Sequence, residues 1–266
     1  MLSDTLESIK RAGIAAAYRG AEVLNARLGS LAHIQKKGRT DLVTEADTGS
    51  EKAIIASLGA AFPEHAILAE ESGLCQGAAG APMWIIDPLD GTTNYAHQLE
   101  LFAISIAHVV EGKLAAGIVL IPRSGELFTA VAGQGAQRNG LPIRVSTTAA
   151  VADSLLATGF PYDVAPILSA VVSRFTNCLE SARGIRRLGS AAIDLCYLAW
   201  GRFDGFWEQN LKPWDTAAGV LIAREAGAVV TDFSDRPFGL EKNEILATNG
   251  RIHAEMLELM RIKGTQ

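Results

Sequence analysis

"WIIDPLDGTTNYAH", residues 84–97, decides how the chain is read. An apolar run ends in Asp87, Pro88 follows, and Asp90 comes three residues after the first carboxylate. The run reads as a buried strand that delivers Asp87 at a sheet end. Pro88 has no N–H to donate, so the ladder is expected to stop there and Asp90 to swing back beside Asp87. Two carboxylates that close repel by about 4 kcal/mol at an effective dielectric of about 20. A hard divalent cation, held by both and by a turn carbonyl such as that of Leu89, would offset this. The bland alternative is an Asx-type turn, with Asp90 capping a helix over "GTTNYAH".

Gly91, Thr92 and Thr93 weigh against the bland alternative. Gly91 has no Cβ, so its backbone can approach a ligand closely. A helix starting at Thr92 or Thr93 would turn unpaired N–H groups outward, which favours a phosphate. Carboxylates for a metal beside amides for a phosphate are the parts of a phosphoryl-transfer site.

Further acidic residues stand where they could join. "LAEES" places Glu70 and Glu71 after a second apolar run, "TEADTGSE" holds Asp47, and "PWDTAAGVLIAREAGA" sets Asp215 at a helix start. Singly, each has an ordinary reading: a solvated strand end for Glu70 and Glu71, a helix cap for Asp47 and Asp215. The joint pattern carries the weight.

Around these motifs the chain is mixed α/β, with sheets covered by helices. Residues 1–30 have helical apolar spacing and close near Gly29, and 48–62 read as a helix stopped by Pro63. From 101, strand-like runs joined by "EGK" and "RSG" indicate an antiparallel meander. "LPIRVSTTAAVADS" bridges to a second half in which "LLATGF", "GFWE", "AVVTDF" and "EILATN" alternate with helices near 163–182, 190–200, 215–226 and 252–262. The division is residues 1–146, an α+β half with the metal and phosphate motif, and 147–266, an α/β half with the last acidic candidate.

Composition bounds the function. The 266 residues are 48% hydrophobic and 20% charged, with a net charge of −5, which suits a large core and excludes a global basic footprint for nucleic acid. Cys75, Cys178 and Cys196 form no CxxC or Cys/His cluster, as expected of idle thiols in a reducing compartment. The charged N-terminal stretch is neither a signal peptide nor a membrane span, so a soluble cytoplasmic protein is expected.

"WIIDPLDGTTNYAH" and "WDTAAGVLIAREAGA", with "AEES" and "RRLGSAAIDLCYLAWGRFDGFWE", resemble over nearly the whole length the inositol monophosphatase family of Mg²⁺-dependent phosphatases, with Tyr95 where Phe is common. The resemblance implies a layered α/β/α/β/α sandwich of the sugar-phosphatase type, usually a homodimer. It implies that Glu70, Asp87 and the Leu89 carbonyl hold a first Mg²⁺, and Asp87, Asp90 and Asp215 a second, with Glu70 helping to place a third. Gly91 and Thr92 amides would bind phosphate. Asp47 and Thr92 would position and help deprotonate the attacking water, and Glu71 would orient waters beside the site. Gly189, Ser190, Ala191 and Glu208, with Asp90 beside them, would meet the sugar-alcohol hydroxyls. Inhibition by lithium is also implied. The basic loop with Lys36, Lys37 and Arg39 would close over the site.

The expected reaction is hydrolysis of a phosphate monoester, with myo-inositol 1-phosphate favoured because Glu208 accepts hydroxyl hydrogen bonds and repels a second phosphate. Fructose 1,6-bisphosphate and histidinol phosphate are alternatives. A haloacid-dehalogenase-type phosphatase is disfavoured, since it needs one residue between its aspartates and "DPLDGTT" has two. A regulatory, transcription-associated protein on the same scaffold is the non-enzymatic alternative. Its basic cluster would be Arg183, Arg186 and Arg187, which are expected instead to pair with acidic neighbours or to serve a dimer contact.

Overall fold

In the computed structural model, residues 2–30, 34–36, 42–75 and 80–262 are described. Lys37 and Arg39 of the basic loop, and the side chains of Lys36 and Cys75, lie outside the described residues. The order is α1 (Leu2–Arg27), β1 (Ile34–Lys36), β2 (Leu42–Thr44), α2 (Glu45–Ala61), β3 (Ala66–Ala69), β4 (Gly73–Cys75), β5 (Met83–Asp90), α3 (Thr92–Ala96) and β6 (Ala103–Val110). The chain continues through β7 (Lys113–Ile121), β8 (Glu126–Val131), β9 (Ala136–Arg138), β10 (Leu141–Pro142), β11 (Leu155–Thr158), α4 (Leu168–Ser181), β12 (Gly184–Arg186) and α5 (Ala191–Ala199). It ends with β13 (Gly205–Gln209), α6 (Pro213–Glu225), β14 (Val229–Thr231), β15 (Glu244–Thr248) and α7 (His253–Met260).

Five layers result. One face of an eight-stranded sheet, ordered β10-β9-β8-β7-β6-β5-β3-β4, is covered by α1 and α2, whose Ala16, Ala17, Leu24, Ile54 and Leu58 pack against Trp84, Ile86, Ile104 and Ile118. Its other face meets α5 and α6, which in turn carry the five-stranded sheet β12-β11-β13-β15-β14. The α4 and α7 helices cover the outer side of that second sheet through Cys178, Met256 and Met260. The middle layer fits because the "TAAG" run of α6 is small: a Cβ on Gly117 of β7 would lie 2.8 Å from the Ala218 carbonyl oxygen. Any larger residue at 117 would push the helix off the sheet.

The meander is as expected, with β5 to β9 all antiparallel neighbours, whereas β3 and β5 run parallel and so end together. Two expectations are corrected. Pro88 does not end its strand: β5 runs on to Asp90 through a bulge, pairing Asp87 with Ser105 and Asp90 with Ala103. A bulge tolerates the missing N–H, and the Pro88 carbonyl still accepts a hydrogen bond from Ser50 Oγ at 3.0 Å. The helix expected from residue 48 begins at Glu45, because Thr44 caps it: Thr44 Oγ1 accepts from the Ala46 N–H at 3.1 Å, and Asp47 Oδ2 accepts from the Thr44 N–H at 2.8 Å.

The end of the large sheet away from Asp87 holds an aromatic stack. Phe62 and His65 lie 4.7 Å apart between ring centres, Trp84 and His108 4.6 Å, and His108 Nε2 is 3.2 Å from His65 Nδ1. His108 Nδ1 and Trp84 Nε1 are buried without partners. Burying the Trp84 ring is worth roughly 4–6 kcal/mol, more than the 1–3 kcal/mol an unmade hydrogen bond costs, roughly, so the arrangement holds. Burial, and then the His65 ring, push His108 from 6.5 down to about 4. Burial lowers His65 in the same direction, against the charge of Glu64. The unfolded imidazole takes up its proton near pH 6.5 and the folded one only near 4. Stability is therefore complete above pH 6.5 and lost as pH falls between those values, by about 3 kcal/mol for His108. Thermal melts should fall less steeply from pH 7 to 4.5 for His108→Leu than for the unsubstituted protein; parallel curves would exclude the pair as the cause.

Candidate active site

Because β3 and β5 are parallel, their C-terminal ends bring Glu70, Asp87 and Asp90 to one place. The start of α6 adds Asp215, and all four line a single cavity of about 320 Å³. Asp87 is buried, and its carboxyl is pushed well above the usual carboxylate range by burial first, then by Glu70, Asp90 and Asp215 in that order. Asp90 is raised by burial to about 6, opposed by Ser190, the Ala191 and Ala192 amides and the Arg187 charge. Oxygen donors alone meet here, the set a hard divalent cation takes. The side chains share the cavity without closing on a point: among the described residues, no three acidic, histidine or cysteine side chains are grouped tightly enough to hold a metal ion as they stand.

Three of the carboxylates, Asp87, Asp90 and Asp215, are held from behind by hydrogen bonds. The Leu89 N–H donates to Asp87 Oδ1 at 2.9 Å. Asp90 Oδ2 accepts from Ser190 Oγ at 2.6 Å and the Ala192 N–H at 2.7 Å, tying the bulge to the start of α5. Asp215 Oδ2 accepts from the Lys212 N–H at 2.7 Å, so the residue read as an N-cap stands one turn in, at N3. Ser105, opposite Asp87, donates to the Trp214 carbonyl at 3.2 Å and fixes the start of α6.

Gly91 has φ 104°, the left-handed region, and a Cβ there would lie 3.1 Å from the Leu101 carbonyl oxygen, so no other residue turns the bulge into α3 without strain. The first α3 hydrogen bond is from the Tyr95 N–H to the Gly91 carbonyl at 3.0 Å, which leaves the Thr92 and Thr93 amides ahead of the ladder. Asp47 reaches in from α2: its Oδ1 accepts from Thr92 Oγ1 at 2.9 Å, while Oδ2 takes Thr44 Oγ1 at 2.6 Å. Thr92 Oγ1 also lies 3.1 Å from the Leu89 carbonyl. One hydroxyl hydrogen serves one partner, and the shorter contact to an anionic oxygen prevails. Burial raises Asp47, while its bonds to Thr44 and Thr92 pull it down.

Gly189, Ser190, Ala191 and Glu208 line the same cavity. Glu208 is buried and raised to about 8, by burial first and then by Asp215 and Asp90. Glu71 is not among the lining residues; its N–H donates to Glu51 Oε2 at 2.9 Å.

Several residues in the cavity wall or behind it escaped the sequence reading. Asn94 donates to the Leu101 and Leu188 carbonyls, both at 2.7 Å, clamping the segment before Gly189. Its place in the "DGTTN" run was the only signal. Gly159 leaves room for Glu208, whose oxygens lie 2.1 and 2.2 Å from where a Cβ would sit. Asp194, Phe160, Tyr162 and Lys212 also face the cavity, with no spacing to flag them. Of the arginine cluster, Arg183 pairs with Asp153 at 2.5 Å, as expected, and Arg187 lines the cavity. Cys178 and Cys196 are buried free thiols. Among the described residues, no helix is long and apolar enough to cross a membrane.

The chain is similar to known proteins over nearly its whole length. A family model described as the inositol monophosphatase family matches residues 5–264. An inositol-1-monophosphatase of Synechocystis is 45% identical over 242 residues, 91% of this chain and 84% of that protein. The Nus factor SuhB of Escherichia coli K12 is 40% identical over 263 residues, 98% of this chain and 96% of that one. A solved IMPase/NADP phosphatase, complexed with Mg²⁺ and phosphate, superposes with a TM-score of 0.85 at 25% identity, covering 98% of this chain and 97% of the other.

Proposed function

The chain belongs to the inositol monophosphatase family, and from that premise we propose that it hydrolyses phosphate monoesters with Mg²⁺, acting on myo-inositol 1-phosphate. The observation that carries this reading is the meeting of Glu70, Asp87, Asp90 and Asp215 in one cavity beside the Thr92 amide and hydroxyl. Glu70, Asp87, Asp90, Asp215 and the Leu89 carbonyl are the residues that would hold magnesium; the relative solved with Mg²⁺ and phosphate supports magnesium as the metal. Bound there, the metal supplies charge neutralisation and a water of lowered pKa.

The rest is work for the chain's own groups. Gly91 and Thr92 offer amides to phosphate oxygens. Thr92 gives its hydrogen to Asp47, which leaves a lone pair on Oγ1 to accept a proton from the attacking water. Asp47 is the base behind it, and no covalent intermediate on an aspartate is needed. Gly189, Ser190, Ala191 and Glu208 form the wall that meets the leaving alcohol. Glu71 lies outside this machinery in our reading, its amide committed to Glu51. A homodimer belongs to the proposal on the resemblance alone.

The test is release of phosphate from myo-inositol 1-phosphate, fructose 1,6-bisphosphate and histidinol phosphate, with Mg²⁺ and with EDTA. Turnover should vanish in EDTA, return with Mg²⁺, and fall in millimolar LiCl. The melting temperature should rise with Mg²⁺, because the cation relieves the crowding around Asp87. No Mg²⁺-dependent turnover on any of the three esters would remove the proposal. It would favour a second reading, to which the SuhB relative points: association with a transcription complex.

A further inference from the structure

We propose that Asp194, with Glu208, recognises a leaving group rich in hydrogen-bond donors, which makes it a specificity-determining residue of this site. The inference rests on the phosphatase reading above. Asp194 sits in the first turn of α5, is 1% exposed and lines the cavity. Its Oδ1 is buried and accepts no hydrogen bond. A carboxyl oxygen so placed costs stability, since water was its partner before folding and nothing replaces it. α5 has no need of it as a cap, because Ser190 Oγ already accepts the Ile193 N–H. Such a cost is tolerated where a ligand provides the missing donor.

The surroundings say what kind of ligand. Glu208, the neighbouring acidic wall residue, is 8% exposed, and Gly159 opposite is the residue whose lack of a side chain gives its carboxyl room. Burial first, and then Glu208 and Asp90, push the Asp194 carboxyl well above the usual carboxylate range, with Arg187 opposing them. Two buried carboxyls side by side match several hydroxyls on adjacent carbons, as a cyclic polyol presents them. An ester whose alcohol carries no further donor leaves both carboxyls unmatched, and has nothing to lose when one is altered.

The experiment compares Asp194→Asn and Glu208→Gln with the unsubstituted protein on two esters, myo-inositol 1-phosphate and phenyl phosphate, both with Mg²⁺. Asp194→Asn should raise KM for the inositol ester up to about tenfold, the value of one hydrogen bond, with kcat within about threefold. Phenyl phosphate kinetics should stay as they were, and the melting temperature should stay or rise. Glu208→Gln, a change in the wall itself, should raise KM for the inositol ester as well and serves as the comparison for the size of the effect. Equal loss on both esters, or a lower melting temperature with unchanged discrimination, would overturn the proposal by making Asp194 a structural residue. Unchanged kinetics on both would overturn it as well. If the unsubstituted protein hydrolyses neither ester, the phosphatase reading fails first, and the two failures are told apart by that control.

Discussion

Asp90→Asn should lower kcat on every phosphate ester by a factor on the order of 10³ while leaving the fold intact. The asymmetry comes from how Asp90 is held. Its Oδ2 takes Ser190 Oγ and the Ala192 N–H, and an asparagine oxygen can accept both. The amide therefore keeps the tie between the β5 bulge and α5. What it loses is the negative charge that the carboxylate contributes to the cavity. Removing that charge also relieves Asp87, whose proton is held partly by Asp90. The melting temperature in EDTA should thus stay level or rise, while the stabilisation by Mg²⁺ shrinks. Near-normal turnover by Asp90→Asn would show that the acidic cavity is not the place where the reaction is helped.

Asp47→Asn should cost about 10² to 10⁴ in kcat, the range for a lost general base. Asp47 also caps α2 through Thr44, and losing that contribution is worth about 1 kcal/mol of stability. A domain with roughly 5–15 kcal/mol in hand stays folded after such a loss, so the cap does not explain a hundredfold drop in rate. Thr92→Ala should be impaired as well, since Asp47 reaches the water only through the Thr92 hydroxyl. Because the two act as one unit, the double variant should fall within about threefold of Asp47→Asn alone. Full multiplication of the two losses would mean that they act separately, and the relay would have to be abandoned.

The acidic residues were legible before any coordinates, and so was the mixed layering. Asp87, Asp90, Gly91 and Thr92 follow one another in a single bulge and turn, so their spacing is itself their geometry. Glu70 and Asp215 could be read because each marks the end of an apolar run or the start of a small-residue helix, and such boundaries are visible in hydropathy. The pair of Asp47 and Thr92, 45 residues apart, came from the resemblance; its hydrogen bond became visible only in the fold.

Only tertiary structure decided the other side of the cavity. Gly159 and Tyr162 follow β11, Asp194 lies on α5 and Lys212 precedes α6, while Glu208, on β13, was read only through the resemblance. No periodicity links them, and each has an ordinary local reading as turn, helix or strand. Pro88 shows the same limit from the opposite direction. Its missing N–H is a sound local reason to stop a strand, yet β5 continues because β6 and Ser50 hold the bulge from outside it. Patterns along a chain report what neighbouring residues impose on one another. A wall built from four separate segments exists only after long-range packing has brought them together.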